Sequence, residues 1–180
     1  VGQAQGLNVV LDAALLLKDD VPNIHFLVLG RGLQLEDLKR RANDLNLDNV
    51  HFLAAVGMEK VGSFLDSADA LLIHLNADPL FKITIPGKTQ AYMAVGKPII
   101  MGVSGDASNL VLRADCGVCF EPEKSAALAE AVKGLMLLSP IDMQKLGENA
   151  EKFYDENLSV QVGVDSFVKV FKEVIDMGRS

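Results

Sequence analysis

The sequence has no tryptophan, only two cysteines and three histidines, and few basic residues. No apolar stretch approaches the roughly 20 residues that a membrane-spanning helix needs, so a transmembrane domain is not predicted. Lysine and arginine number 17 against 24 acidic residues, which gives a formal net charge of −7. A nucleic-acid partner is not expected, because such binding normally needs a clustered basic face. With 180 residues, 49% of them hydrophobic, the chain suits one domain with a buried core.

The two cysteines, Cys116 and Cys119, form a C-x-x-C pattern. A redox C-x-x-C usually opens a helix, whose N-terminus stabilises a thiolate. Here the residues CGVCFEP are typical of a short strand, in which side chains three positions apart point to opposite faces. A zinc site would need two further ligands, and the three histidines lie in apolar strand patterns elsewhere. We therefore expect reduced, structural cysteines, as in a cytosolic protein, and no bound metal.

Short apolar runs alternate with amphipathic stretches, and the strands stop after Phe120. The runs are rich in Val, Ile, Leu or Phe, as is typical of strands buried on both faces; they cover 24–30, 49–55, 68–75, 97–103 and 116–120. Helices are predicted at 7–17, 35–45, 59–65, 89–95, 107–113, 124–138, from Pro140 onward and at 159–176. The alternation predicts an α/β fold, a Rossmann-like, doubly wound parallel sheet of about six strands with C-terminal helices.

Both ends of the chain look unfinished for such a fold. Gly2 and Gly6 precede a helix with no strand before them, so we expect the first strand to be absent from residues 1–180. The last helix is apolar enough to pack against a surface outside this domain, although packing on its own sheet is an equal alternative. We interpret residues 1–180 as one domain separated from a longer protein.

Open parallel sheets bind ligands outside the carboxyl ends of their strands, and the loops at that edge are rich in glycine. Those loops are 1–6, 30–34, 55–58, 76–88 and 103–107. Glycine before a helix lets backbone N–H groups approach a phosphate, whose negative charge the helix dipole favours. Any single glycine is better explained by an ordinary turn, so only their accumulation at one edge favours an anionic ligand.

Three common motifs are absent. Gly30-Arg31-Gly32 follows a predicted strand, but no third glycine completes G-x-G-x-x-G and no acidic residue ends the next strand to hold a ribose. Neither a Walker A loop nor a G-x-S-x-G serine is found. Dinucleotide binding and phosphoryl transfer from ATP are therefore not predicted.

The most informative segment, DPLFKITIPGKTQAYMAVGKPII, spans residues 78–100. Pro86 restricts the approach to a predicted helix, Gly87 admits close contact, and free N–H groups from Gly87 to Gln90 face outward. Lys88 adds a positive charge within reach of a phosphate at that site. A surface lysine without a role is the simpler interpretation in general, but this setting favours a phosphate contact.

Through this segment the chain resembles the family-four retaining glycosyltransferases of GT-B architecture. The family pattern P-[SG]-K-x-x-x-Y-M-A-x-G-K-P is matched at residues 86–98, and further blocks are matched at 1–13, 50–75 and 113–132. Residues 78–86 look most like transferases of bacterial O-antigen and capsule assembly, including those that handle N-acetyl-L-fucosamine. The four blocks occur in the family's order and extend along the whole chain.

The resemblance implies that this domain binds a nucleotide sugar, with UDP as the expected nucleotide. It implies contacts to the pyrophosphate, the nucleotide, the base edge and the diphosphate from successive loops. The implied positions are Gly2, Gln5 and Gly6, then Gly32, then Ala55 and Met58, and finally Thr84, Ile85, Pro86, Gly87, Lys88 and Thr89.

The chain departs from the family at its charged positions. Many relatives carry E-x7-E in the third block, but aligning on Gly96 puts Ile83 and Ala91 there. Gln5 stands where many relatives have a lysine. Our hypothesis is that Lys88 or Lys82 supplies the lost positive charge, with Lys88 as the catalytic candidate that stabilises the leaving phosphate. No convincing D-x-D motif is present, and no metal or other cofactor is expected.

The expected activity is transfer of a hexosyl or N-acetylhexosaminyl group from a UDP-sugar to a saccharide or lipid-linked acceptor in cell-surface polysaccharide synthesis. The expected partners are the nucleotide-sugar donor and an N-terminal acceptor domain of the same polypeptide, without which the chain should be inactive. We expect a cytoplasmic location, with any membrane association at the inner face made through that missing domain.

Two alternatives remain. Half of a nucleotide-sugar 2-epimerase should show a histidine and glutamates at the strand ends, which the sequence does not make evident. A non-enzymatic regulatory domain that binds a nucleotide or a partner should show acidic residues after its first strand, and residues 1–8 contain none.

Overall fold

The computed structural model describes residues 1–177 and folds them as alternating strands and helices. The strands are β1 (Phe26–Leu29), β2 (Val50–Leu53), β3 (Leu71–His74), β4 (Ile99–Gly102) and β5 (Gly117–Cys119). The α-helices are α1 (Asn8–Leu17), α2 (Leu35–Asp44), α3 (Met58–Ser67), α4 (Gly87–Val95), α5 (Asp106–Ala114), α6 (Ser125–Met136), α7 (Pro140–Asn157) and α8 (Val160–Met177). Short 3-10 helices cover Gln3–Gln5 and Pro79–Ile83.

The predicted helices are all present, because capping signals and helical periodicity are local properties of the chain. Ser139 and Pro140 illustrate this: the Ser139 hydroxyl accepts a hydrogen bond from the Asp142 amide at 3.1 Å, and Pro140 is the first residue of α7. Such an N-cap satisfies a backbone donor that the first turn leaves unpaired.

The strands pair in parallel but form two sheets. β1 pairs with β2, and β4 lies between β3 and β5. In the three-stranded sheet Leu71 is opposite Ile99, which is opposite Gly117. The described residues therefore contain five strands, and the predicted count of about six, in one sheet, is wrong.

Residues 1–5 connect the two sheets at their carboxyl ends. The amino group of Val1 donates a hydrogen bond to the Arg31 carbonyl at 2.7 Å, just after β1. The Asn76 amide, just after β3, donates to the Ala4 carbonyl at 2.8 Å. The segment contains a 3-10 turn and adds no strand, and the described residues show no ladder between β1 and β3.

Helices cover both faces of the three-stranded sheet, which confirms the doubly wound α/β prediction. Ile99 and Met101 of β4 pack with α4, α5 and α7, whereas Ile100 packs with α1 and α6 on the opposite face. This alternation follows from the two-residue period of a strand. A third cluster joins α1, α2 and β2.

The expectation that every strand is buried on both faces is wrong for the two-stranded sheet. All four residues of β4 are buried, but none of β1 is, and Leu27 is 59% exposed. α3, which follows β2, has no buried residue. The apolar composition of β1 and β2 therefore exceeds what their burial among the described residues requires.

The last helix, α8, also lacks buried residues. Its apolar side chains are exposed, including Val160, Val164, Phe167, Val168, Phe171 and Ile175. Packing of α8 on the sheet of its own domain, one of the two sequence alternatives, is therefore not found within residues 1–177. No described helix is both long enough and apolar enough to cross a bilayer.

Gly105 is needed for the close approach of the β4–α5 turn to the segment before α4. Its φ of +87° disfavours a residue with a side chain, and a Cβ there would overlap the Lys82 carbonyl oxygen. We expect Gly105→Ala to lower the free energy of unfolding by about 2–4 kcal/mol, measured by urea denaturation. Gly134→Ala is the matched control. It adds a Cβ to open space within α6 and should raise stability by about 0.5–1 kcal/mol. Wild-type stability of the Gly105 variant would contradict this account.

Candidate functional site

A polar cavity of about 270 Å³ opens at the carboxyl ends of β1 and β3. This is the edge of a parallel sheet at which ligands bind. Loops that follow β1, β3 and β5 contribute to its wall, together with the first turns of α1. The lining residues are Gln3, Gly6, Asn8, Val9, Asp12, Gln34, Asn76 and Glu123.

The glycine loop before α1 is fixed by side chains that bond to its backbone. Asn76 Nδ2 donates to the Gln3 carbonyl at 3.1 Å, and Gln5 Oε1 accepts from the Gly2 amide at 3.0 Å. Gly6 has a φ of +50°, and a Cβ there would overlap the Asn76 side chain. The loop therefore needs glycine at position 6 to close the cavity wall against β3.

His74, the last residue of β3, lies beneath this loop and is only 5% exposed. Its Nδ1 is 2.7 Å from the Gln5 carbonyl oxygen, and its Nε2 accepts a hydrogen bond from the Glu123 amide at 3.0 Å. Burial lowers the pKa of His74, against smaller opposing effects of the Gln5 bond and the Glu123 charge. The ring therefore favours its neutral form, in which it joins the first loop to the loop after β5.

The side chains that line the cavity are acidic or amide, and none of them is basic. Arg41 of α2 compensates one of the two carboxylates, because its Nη2 donates to Asp12 at 2.6 Å and its Nη1 donates to Asn8 at 2.7 Å. Glu123 is the second carboxylate. Carboxylate and amide oxygens accept hydrogen bonds from hydroxyl groups, so this wall suits a hydroxyl-rich ligand better than a bare phosphate.

The start of α4 provides the contrasting, electropositive element. The amides of Gly87 and Lys88 have no acceptor among the described residues, as is usual for the first turn of a helix. The Lys88 side chain is exposed and has no ion pair within residues 1–177. Partial desolvation by its surroundings lowers the pKa of Lys88. The helix N-terminus and this ammonium group form a local site for an anion.

The remaining residues of segment 84–89 have different environments. Thr84 Oγ1 donates to the Leu80 carbonyl at 2.7 Å, and Thr89 is fully buried with its hydroxyl unpaired among the described residues. Pro86 is the N-cap of α4. Ile85 lines a second cavity of about 460 Å³, together with Asp106, Asn109, Leu110, Leu112 and Arg113.

The structure therefore brings together only part of the predicted set. Gly6 lines the polar cavity, Gly2 and Gln5 stabilise the loop beside it, and Gly32 lies against the Val1 carbonyl. Ala55 and Met58 follow β2 and line neither of the two cavities, and Met58 is 86% exposed. Their role at the base edge, and that of 84–89 at the diphosphate, stay predictions.

Sequence reasoning missed most of the side chains on the cavity wall. Asn8 and Asp12 are four residues apart, which puts them on one face of α1 directly after the glycine loop, and this spacing was a usable signal. Glu123 comes after the fifth strand, and no local pattern relates it to position 6. Only the folded chain brings these residues to one cavity.

The absence of a histidine and a glutamate from the strand ends, which weakened the epimerase alternative, is contradicted by the structure. His74 and Glu123 lie together at the carboxyl ends of β3 and β5. Both imidazole nitrogens, however, are engaged by backbone groups of Gln5 and Glu123. The ring has no free nitrogen for proton transfer to a substrate, so its presence does not restore that alternative.

The two cysteines are free thiols, as predicted, but their side chains do not point to opposite faces. Cys116 Sγ contacts the Val111 carbonyl and Cys119 Sγ contacts the Ser108 carbonyl, both in α5 and both at 3.7 Å. Cys116 precedes β5, after a left-handed residue at Asp115, so the alternation of a strand does not extend to it. Residues 1–177 contain no group of three His, Cys, Asp or Glu side chains suited to a metal.

Comparison with known proteins identifies relatives of the chain. The family model described as "Glycosyl transferases group 1" matches residues 1–153. The chain is 28% identical over 153 residues to D-rhamnosyltransferase WbpZ of Pseudomonas aeruginosa, covering 83% of this chain and 37% of that protein. Overall, the chain spans about two fifths of the length of the curated relatives it matches.

Two solved structures share the fold. Alr3699/HepE of Anabaena, crystallised in complex with UDP, superposes with a TM-score of 0.82 at 17% identity, covering 96% of this chain and 46% of that one. The C-terminal domain of the group 1 glycosyl transferase LpcC of Francisella tularensis superposes with a TM-score of 0.73 at 16% identity, covering 89% of this chain and 83% of that domain. The fold is therefore the Rossmann-like α/β fold of GT-B proteins.

The burial of the cysteines predicts poor reactivity towards thiol reagents. Burial, with nearby Cys119 and Asp115, raises the pKa of Cys116 to about 12, and burial also raises the pKa of Cys119. At a pH near 8, about one Cys116 in 10,000 would be a thiolate, so the folded protein should react slowly with a disulfide reagent. In guanidinium chloride both thiols should react rapidly. Rapid labelling of two thiols in the folded protein would contradict the structural role.

Proposed function

The chain belongs to the glycosyl transferases group 1 family, and from that premise we propose that it is the part of a glycosyltransferase that binds a UDP-sugar donor. The observation that carries the proposal is the polar cavity at the carboxyl ends of β1 and β3, next to the glycine loop before α1. The Anabaena HepE structures, whose titles name UDP and UDP-glucose, support the choice of nucleotide.

The proposed donor has two kinds of group, and the site offers two kinds of surface. Hydroxyl groups of the ribose or the sugar would donate hydrogen bonds to the carboxylates and amides of the cavity, with Glu123 as the uncompensated acceptor. The diphosphate would lie towards the unpaired amides of Gly87 and Lys88 and the Lys88 ammonium. Glu123 would thereby take over the ribose contact for which the sequence lacks the family's acidic pair.

In the proposed reaction the bond between the anomeric carbon and the diphosphate breaks, and negative charge develops on the leaving phosphate. Backbone N–H groups and a cation positioned at that phosphate lower the barrier, because they are fixed before the charge appears. Lys88 is the residue that we assign to this role. Retention of the anomeric configuration, transfer of a hexosyl or N-acetylhexosaminyl group and independence from a metal are parts of the proposal that follow from the family resemblance.

The acceptor is proposed to bind to an N-terminal domain of the same polypeptide. The short span of this chain relative to its curated relatives supports that division of labour. The free edges of β1 and β3 and the exposed Leu27 fit one more parallel strand between the two sheets. The exposed apolar face of α8 is proposed to pack against the acceptor domain.

The named function of WbpZ supports a role in the assembly of a bacterial surface polysaccharide. Within that class we propose O-antigen or capsule synthesis at the cytoplasmic side of the membrane. N-acetyl-L-fucosamine remains the proposed sugar on the resemblance of residues 78–86 alone.

The role of Lys88 is tested by calorimetric titration with UDP. Lys88→Ala should weaken binding about 10-fold or more, since a charge-assisted contact to phosphate is worth about 1.5–3 kcal/mol. Lys152→Ala is the control, because this exposed lysine of α7 follows Gly147 and Glu151, which pack at the C-terminal end of α4. Unchanged affinity of the Lys88 variant would remove Lys88 from the site, and a wild-type chain that binds no UDP would sink the proposal.

The proposed contact of α8 is tested by amide hydrogen exchange. Exchange within Val160–Met177 should slow in a protein that carries both domains, compared with this chain alone, because burial of the apolar face stabilises the helix. Amides of α7 serve as the internal control, since α7 already packs on α4. Equal exchange of α8 in the two proteins would show that the acceptor domain does not cover it.

A further inference from the structure

We propose that His74 is a positioning residue of the donor cavity, whose imidazole fixes the glycine loop and the Glu123 turn relative to each other. The inference rests on the proposed function, because the cavity is taken to be the donor site. It adds a residue that the family resemblance does not assign, and that touches the cavity only through its two hydrogen-bond partners.

The hydrogen bonds determine the tautomer of the ring. The Glu123 amide can only donate, so Nε2 at 3.0 Å accepts and carries no proton. The proton of the neutral ring is therefore on Nδ1, where it is donated to the Gln5 carbonyl at 2.7 Å. One neutral tautomer satisfies both partners, and both partners are backbone groups whose positions set the loop conformations.

The ring has little freedom to move between these partners. It stacks on Phe120 at a centroid distance of 5.9 Å and an interplanar angle of 10°. A Cβ on Gly102 would come within 2.7 Å of His74 Cδ2, so this glycine leaves the space that the ring occupies. Packing on these sides makes the imidazole a rigid spacer.

The bond to Glu123 holds an unfavourable backbone conformation. Glu123 has a φ of +63°, a left-handed value that is uncommon for a residue other than glycine, asparagine or aspartate. Its amide is directed at Nε2 in that conformation, and its side chain lines the cavity. Non-glycine residues in this region persist only where their surroundings hold them, and they cluster at ligand sites. Here the surrounding group is His74, which also holds the opposite wall through Gln5.

Three substitutions separate the two hydrogen bonds from the packing. His74→Phe keeps a ring against Phe120 but removes both bonds. His74→Asn offers an amide nitrogen near the place of Nδ1 and can donate to Gln5, whereas His74→Gln offers an amide oxygen near the place of Nε2 and can accept from Glu123.

Titration with UDP should give the tightest binding for the wild type, a loss of about 10-fold or more for the Phe variant, and intermediate losses for Asn and Gln, since each retains one bond. Thermal unfolding is measured beside each titration to identify a variant that fails to fold. Wild-type affinity in a folded Phe variant would overturn the inference. So would equal losses in all three variants, because a purely structural role predicts no rescue by the partial mimics.

Amide hydrogen exchange without nucleotide tests the positioning separately from the donor. The Phe variant should exchange faster at the Glu123 amide and at residues 3–6, with α7 amides unchanged. Unchanged exchange in both loops would overturn the positioning role even if the wild type binds UDP. A wild type that binds no UDP would instead overturn the proposed function, and the donor role of His74 with it.

Discussion

The carboxyl edge of the molecule depends on the hydrogen bonds that hold residues 1–6 between the ends of β1 and β3. Asn76 and His74 bond to three successive carbonyls of this segment, those of Gln3, Ala4 and Gln5. The same segment bridges two sheets that share no strand ladder in the described part of the chain. Because carbonyl groups are the partners, the amides that open α1 remain directed at the cavity, where a polar ligand can use them.

Charge is distributed unevenly around this edge, and the distribution explains why the family's usual charged positions can be vacant. The cavity wall carries Asp12, balanced by Arg41, and Glu123, while the positive elements are concentrated at the start of α4. A ligand with hydroxyl groups at one end and phosphates at the other matches both regions. Glu123 and Lys88 thus offer, from other parts of the chain, the two charges that positions 5 and 91 lack.

Much of the fold could be predicted because its signals are local. The helical periodicity of α6, the cap at Ser139-Pro140 and the glycine before α1 each act within a few residues. Strand positions followed from apolar runs, but strand burial did not, since the composition of β1 is the same whether or not a neighbour covers it. Of the predicted site residues, Gly6 was found on the cavity wall because glycine before a helix at a strand end has a direct physical meaning.

By itself the sequence determined the α/β class, the order of its elements, the glycine-rich edge and the family. The tertiary structure alone decided which residues share the cavity, because Gly6, Asn76 and Glu123 are far apart in sequence and meet only where parallel strands end together. It also decided the role of His74, which in sequence is one histidine in an apolar strand. A side chain's hydrogen-bond partners, and hence its tautomer, are properties of the packed chain rather than of its neighbours in sequence.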